Sequence, residues 1–481
     1  MLITNILLIA RVLSVIFIFV VIFIERRKPE STIAWILILT FLPYLGVFLY
    51  VLLGDTFRFN IHKKEKNKLA SNKRYKKLIH DQIKFINSDE RLKNYSSVSN
   101  LMLLNSSADS LLTANNDIKV YNKGIDKYSD LFIDISNAKK FIHISYYIVR
   151  RDEYGEKLTK LLIEKAKEGV EVRLIFDHIG SKITSMRCFK ELIKAGAKVE
   201  KFFPSTIFFK PYLNHRNHRK IVIIDGEIGY IGGMNIGKEY CNENKRIYPW
   251  ADRHMRIYGD GVVGLQMQFL FDYLFVSKEN ISLEDKSTIE KYFPRLNKDV
   301  GSNLLQVVAS GPDYKQENIK NAYLKMINDA KKSILIETPY LILDDSLLDA
   351  INIAIKSGVE VKVVIPGIPD KMIVYAATLS YARELIQMGA KVYAYKGFMH
   401  SKVVISDDYI TSIGSANMDR RSFSLNFEIN TFVYNKDFNE LNRELIDIDI
   451  ENSELLNDTI KKKKRFGLWL ERIFRLLAPI M

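Results

Sequence analysis

The sequence predicts an α/β protein of two α/β sandwich halves related by a pseudo-twofold, preceded by an N-terminal transmembrane helical hairpin. Three observations predict it. The segment His218-Arg219-Lys220-Ile221-Val222-Ile223-Ile224-Asp225 returns 182 residues later as His400-Ser401-Lys402-Val403-Val404-Ile405-Ser406-Asp407. The stretches upstream of each copy also recur in the same order. Finally, two apolar runs, Ile6 to Ile24 and Ile33 to Leu53, open the 481-residue chain, each about the 20 residues that a bilayer requires.

The elements follow from the repeat. Asn137-Ala138-Lys139-Lys140-Phe141-Ile142 matches Asp329-Ala330-Lys331-Lys332-Ser333-Ile334. Glu168-Gly169-Val170-Glu171-Val172 matches Ser357-Gly358-Val359-Glu360-Val361, and Ala195-Gly196-Ala197-Lys198-Val199 matches Met388-Gly389-Ala390-Lys391-Val392. Each half therefore reads strand, helix, strand, helix, strand, then the His-Lys hairpin. That alternation places helices on both faces of a mixed sheet. The expected division is a hairpin over 1–55, a basic linker over 56–115, a first half over 116–300 and a second over 301–481. One shared site between the halves is expected.

Within each copy a branched apolar run ends at a turn signal, Asp225-Gly226 or Asp407-Asp408, as a buried strand entering a tight turn does. Side chains alternate along a strand, so His218 and Lys220 share a face, as do His400 and Lys402. An imidazole beside an ammonium is a place to hold a phosphate. The Lys takes the non-bridging oxygens, and the neutral His attacks phosphorus or accepts a proton. Asp225 and Asp407 lie an odd number of residues from their His. They are grouped with this candidate catalytic set as structural orienters near the site.

Both copies run on, in register, into G-[GS]-x-N: Gly232, Gly233 and Asn235, then Gly414, Ser415 and Asn417. The paired H-x-K-x4-D motif with this trailing signature resembles the phospholipase D superfamily, over the chain from about Val120 onward. The resemblance implies a metal-free, two-step phosphodiester exchange. One His becomes a phosphohistidine while the other protonates the leaving alcohol and then deprotonates the incoming one. It also implies His218 as nucleophile and His400 as acid/base, an assignment the residues by themselves leave open. In the superfamily an acid after the second motif holds a catalytic His in one tautomer. Glu428 stands at that place, eleven residues after Asn417, and Asp252 is the candidate counterpart in the first half. Asn235 and Asn417 join them as substrate-binding or orienting candidates.

No metal or other cofactor is expected: Cys188 and Cys241 make no ligand spacing, and the eight histidines form no metal-binding pair. The formal charge is +15. Much of the excess sits at Lys63, Lys64, Lys66, Lys68, Lys73, Arg74, Lys76 and Lys77, and again at Lys461 to Arg465 ahead of an amphipathic Trp469-containing segment. A solvated linker and a docked helix are the plain readings of these stretches. Attraction to anionic headgroups is the functional one. A nucleic-acid phosphodiesterase also suits a basic chain, but the anchor favours a lipid surface, and no nucleic-acid partner is expected. The arrangement of anchor, linker, two motif halves and basic tail resembles the membrane branch of the superfamily. That implies transfer of a phosphatidyl group from one phosphatidylglycerol to another, with release of glycerol. A hydrolase, or a transphosphatidylase using another alcohol, is the alternative. Three basic residues lie between the apolar runs and at least eight follow them, so the positive-inside rule predicts a catalytic body in the cytoplasm.

Overall fold

A computed structural model describes residues 2–24, 29–53 and 103–456, apart from short segments at 105–107, 109, 183, 203–214, 244–246, 278, 280 and 283–284. The basic stretch from Lys63 to Lys77, the loop Arg26 to Lys28 and the tail from Lys461 lie outside the described residues.

The first half contains a seven-stranded mixed sheet, order β2-β10-β8-β7-β3-β4-β5. Its strands are β2 (Asn116–Tyr121), β3 (Phe141–Tyr146), β4 (Glu171–Asp177), β5 (Lys198–Phe202), β7 (Ile221–Ile224), β8 (Ile228–Gly232) and β10 (His254–Gly259). The strands β3, β4 and β5 run parallel, and the remaining pairings are antiparallel. The second half repeats this order as β11-β20-β18-β17-β12-β14-β15, between the short edge strands β1 (Leu112–Thr113) and β21 (Ser453–Leu455). These strands are β11 (Leu304–Ser310), β12 (Ser333–Glu337), β14 (Glu360–Pro366), β15 (Lys391–Tyr395), β17 (Val403–Ser406), β18 (Ile410–Gly414) and β20 (Asn426–Tyr434). Helices cover both faces, so strands such as β7 and β17 are buried along their whole length. That is why they read as unbroken apolar runs rather than alternating ones.

Two short parallel pairings cross between the halves. The strand β6 (Arg216–Asn217) pairs with β20, and β16 (Phe398–Met399) pairs with β9 (Trp250–Ala251). Each motif histidine follows directly. His218 N donates to Phe427 O at 3.0 Å, and His400 N donates to Ala251 O at 2.7 Å. The two halves are thus stitched together at their histidines.

The N-terminal segment forms a separate compact unit. Helix α1 (Leu2–Phe19) runs into a π turn at Val20–Ile24. The second apolar run, expected as one span, is two helices, α2 (Pro29–Phe41) and α3 (Pro43–Leu53). The cause is Pro43, which has no N–H to give the carbonyl of Leu39. Ser14 of α1 fills the gap, its hydroxyl donating to Leu39 O at 2.5 Å. Gly46 closes the bend, because a Cβ there would meet Ile38 O at 2.8 Å. No helix among the described residues is long and apolar enough to cross a membrane. The unit nonetheless exposes large apolar side chains, among them Leu8, Phe23, Phe41 and Phe48.

Candidate active site

Both His-Lys pairs sit in one electrostatic neighbourhood, since each histidine feels both Lys220 and Lys402. The histidines are oriented crosswise. His218 Nδ1, from the first half, lies 2.9 Å from Glu428 Oε1 of the second. His400 Nδ1, from the second half, lies 2.6 Å from Asp252 Oδ2 of the first. Spacing along the chain left open which histidine each acid serves. The crossed strand pairings decide it, because Glu428 follows the β20 residues paired with β6, and Asp252 follows β9. With both Nδ1 atoms engaged, each Nε2 is the nitrogen left for chemistry.

The acids are themselves held. Glu428 is fully buried and accepts the Ser415 hydroxyl at 2.5 Å, while Ser415 O lies 3.1 Å from His218 Nδ1. In the first half Gly233 takes the place of Ser415. A Cβ there would lie 2.0 Å from Asp252 Oδ1, so the shorter acid packs against bare backbone. The two alternatives in G-[GS]-x-N thus match two different acids. Burial alone would raise Glu428, but His218, Lys220 and Ser415 outweigh it and hold the carboxyl below its ordinary range.

Burial pushes His218 down to about 4 and His400 to about 3, with the lysines adding to the push. Both imidazoles are therefore neutral in the empty site. Burial also pushes Lys220 down to about 7 and Lys402 to about 8. Lys220 Nζ donates to His218 O at 2.5 Å, and Lys402 Nζ donates to His400 O. A bound phosphate anion would neutralise the paired ammoniums and raise the histidines, so one imidazole takes up a proton as the anion enters. A lysine carries its charge only below its pKa. Affinity for tungstate, a dianion throughout, is therefore expected to fall by about tenfold between pH ~6 and ~9, as the two charges are lost. Isothermal titration across that range reads this out, and a flat profile would mean that the lysines stay charged.

The remaining sequence candidates fall elsewhere. Asp225 and Asp407, expected near the site, stand at the far ends of β7 and β17, about 15 Å of strand from the lysines. Asp225, at φ 56°, accepts the N–H groups of Lys139, Lys140 and Phe141. Asp407, at φ 48°, does the same for Lys331, Lys332 and Ser333. They fasten the hairpin turn to the start of the neighbouring strand and are corrected to structural residues remote from the site. Asn235 is occupied within the protein: its Oδ1 accepts Ile148 N at 3.0 Å, and its Nδ2 donates to Tyr240 OH at 2.6 Å. Asn417 is buried close to Asp419, and its Oδ1 has no hydrogen-bond partner among the described residues.

Sequence reasoning missed the aromatic walls. The Tyr147 ring lies 4.9 Å from that of His218, and Trp250 lies 5.2 Å from His400, with Phe398 at 5.8 Å. The one available signal was Trp250, two residues from Asp252. It also missed Lys127, which is fully buried, pushed down to about 7 by burial, and within electrostatic reach of Asp252. No periodicity distinguishes that lysine from a solvated one on α4 (Gly124–Asn137).

Comparisons with known proteins identify the family. The family model described as "Cardiolipin synthase, PLD-like domain" matches residues 131–248 and 323–448, and "Phospholipase_D-nuclease N-terminal" matches 12–54. A cardiolipin synthase of Listeria monocytogenes serotype 4a (strain HCC23) is 40% identical, with 100% of both chains covered. The chain belongs to the cardiolipin synthase family of the phospholipase D superfamily. A cardiolipin synthase of Staphylococcus aureus (strain N315) is also 40% identical over 98% of this chain and 96% of that protein. One from Oceanobacillus iheyensis is 41% identical over 96% of each. The crystal structure of phosphatidylserine synthase from Haemophilus influenzae Rd KW20 shares the fold. Its TM-score is 0.59 at 15% identity, covering 80% of this chain and all of that one.

Proposed function

We propose that the chain joins two phosphatidylglycerol molecules into cardiolipin and glycerol by way of a phosphohistidine. The observation that carries this reading is the pair of neutral histidines, each fixed at Nδ1 by a buried acid of the opposite half and flanked by lysines. His218 Nε2 forms a bond to phosphorus as the bond to the headgroup glycerol oxygen breaks. His400, protonated once the anion is bound, gives its proton to that oxygen. It then takes the proton from a hydroxyl of the second phosphatidylglycerol, whose oxygen displaces His218 from phosphorus. The lysines hold the non-bridging oxygens throughout. No step is assigned to a metal or other cofactor. Purified protein in detergent, given phosphatidylglycerol and a strong chelator, is expected to yield cardiolipin and glycerol by mass, and a phosphatidyl-enzyme after quench with denaturant at alkaline pH, where a phosphorus–nitrogen bond survives. Complete loss on chelation, restored by a divalent ion, would overturn the scheme. Nucleic-acid cleavage without a lipid product would favour a phosphodiesterase.

The exposed apolar surface of α1 to α3 supports insertion in a bilayer. We propose two spans, α1 with its π turn as the first and α2 with α3, bent at Pro43, as the second, with the catalytic halves in the cytoplasm. With Cys188 and Cys241 replaced, a single Cys at Lys68 is expected to be protected from an impermeant thiol reagent in intact cells. Ready labelling there would reverse the orientation. The division at 56–115, 116–300 and 301–481 is retained as a proposal, consistent with the repeated strand order on either side of residue 300.

A further inference from the structure

We propose that Arg216 and Arg421 form a second anion subsite beside His218 that takes the phosphate of the acceptor lipid. The inference rests on the cardiolipin-forming reaction above. That reaction brings two phosphate monoanions together, and the two His-Lys pairs accommodate only the reacting one. Its product carries the phosphates at the two ends of one glycerol, so the second phosphate must lie a three-carbon tether from the first.

Arg216 stands at that distance. It lies two residues before His218 on an extended segment, in parallel register with Asn426. The two side chains therefore leave the same face about 7 Å apart. Arg421 comes from the other half, in the short helix Arg420–Ser424 that Asp419 caps through Ser422 N at 2.6 Å. Tyr147 links the group. Its hydroxyl is in electrostatic reach of both arginines, and its ring lies 4.9 Å from that of His218 and 5.4 Å from Lys220 Nζ. Burial, then Arg216, pushes the Arg421 guanidinium down, as expected of two cations brought together. Both side chains are only half-buried, which leaves part of each open to solvent. Counter-charges nearby include Asp177, Asp419 and Glu428, the last engaged by His218 and Ser415. Asp177 accepts Asn217 N, Ile179 N and Gly180 N, so much of its charge is turned to the backbone.

The repeat sharpens the case. In the register that aligns the two motifs, Arg216 corresponds to Phe398 and Arg421 to Glu239. Phe398 packs on His400, and Glu239 pairs with Arg150 at 3.0 Å. The internal symmetry is thus broken at both positions, where the His218 side has arginines and the His400 side has Phe398 and Glu239. Two guanidiniums within electrostatic reach of one tyrosine hydroxyl suit a phosphate better than a hydroxyl. The acceptor hydroxyl approaches phosphorus opposite His218, and the flexible tether lets its phosphate turn along the mouth toward the arginines.

The test separates a neutral acceptor from an anionic one. Wild-type enzyme, Arg216→Gln, Arg421→Gln and Arg216→Lys are given phosphatidylglycerol in mixed micelles with isotope-labelled glycerol. Exchange of label into phosphatidylglycerol uses the same donor and both histidines but an uncharged acceptor. In each Gln variant cardiolipin formation is expected to fall about tenfold or more, while exchange stays within about twofold, and Arg216→Lys should lie between. The retained exchange also reports that the variant is folded. A parallel loss of both reactions, or an unchanged ratio, overturns the subsite. A wild-type enzyme that exchanges glycerol but makes no cardiolipin removes the reaction itself, a failure visible before any variant is compared.

Discussion

Alanine at His218 or at His400 is expected to lower cardiolipin synthesis by about ten-thousandfold or more, and the double variant should be little worse than either single one. The reason is that a single site needs one imidazole bonded to phosphorus and another moving the proton. Removing either leaves the other without a partner step, so the losses do not add. The variants should differ in what they accumulate. His400→Ala retains the nucleophile and is expected to show slow formation of a phosphatidyl-enzyme, whereas His218→Ala forms none. Rapid quench with labelled phosphatidylglycerol and mapping of the labelled peptide read this out. Near-normal synthesis by either variant would mean that the halves do not share a site. Label at His400 in wild type would exchange the two roles. Alanine at Lys220 or Lys402 should cost less, about a hundredfold to a thousandfold, because the other ammonium still faces the developing charge.

Replacing Glu428 with Gln, or Asp252 with Asn, is expected to reduce kcat by about a hundredfold to ten-thousandfold with little change in KM. A neutral amide keeps the volume but can donate to Nδ1, which turns the imidazole so that its proton sits on Nε2, the atom required as nucleophile or base. The crossed geometry makes the readout specific. In Glu428→Gln the nitrogen chemical shifts of His218 should report the wrong tautomer while those of His400 stay put, and in Asp252→Asn the reverse holds. Glu428→Gln should slow formation of the phosphatidyl-enzyme. Asp252→Asn should slow departure of glycerol and its replacement by the acceptor. Should Glu428→Gln perturb His400 instead, each acid would be serving its own half and the crossed arrangement would be refuted. A loss confined to KM would make the acids binding groups.

Much of this protein is written in local pattern. The His-x-Lys alternation, the branched runs of β7 and β17 and the turn residues behind them are short-range features, so the two hairpins were legible from spacing. So were the three parallel strands that precede each hairpin and the candidacy of His218, Lys220, His400 and Lys402, because a repeat shows which residues recur in register; the strand pairs β2-β10 and β11-β20 beside the hairpins were not read. Glu428 and Asp252 were legible as candidates through the superfamily resemblance, which implies an acid that holds a catalytic His.

What the sequence could not decide is which groups meet across the fold. The alternation rule put Asp225 and Asp407 on the opposite face from their histidines. It was silent on the length of strand between them, which carries these acids away to backbone N–H groups at the far edge. The crossed pairing of each His with the other half's acid depends on two short strand contacts, Arg216–Asn217 with β20 and Phe398–Met399 with Trp250–Ala251. Two-residue strands carry no periodicity. The bend at Pro43 could be foreseen from its missing N–H, whereas the Ser14 hydroxyl that satisfies Leu39 could not, because it lies 25 residues away on another helix. Local chemistry determined the parts of the site by itself. Only the tertiary structure decided their partners, because hydrogen bonds and charges act through space and the spacing of residues along a chain does not encode distance across it.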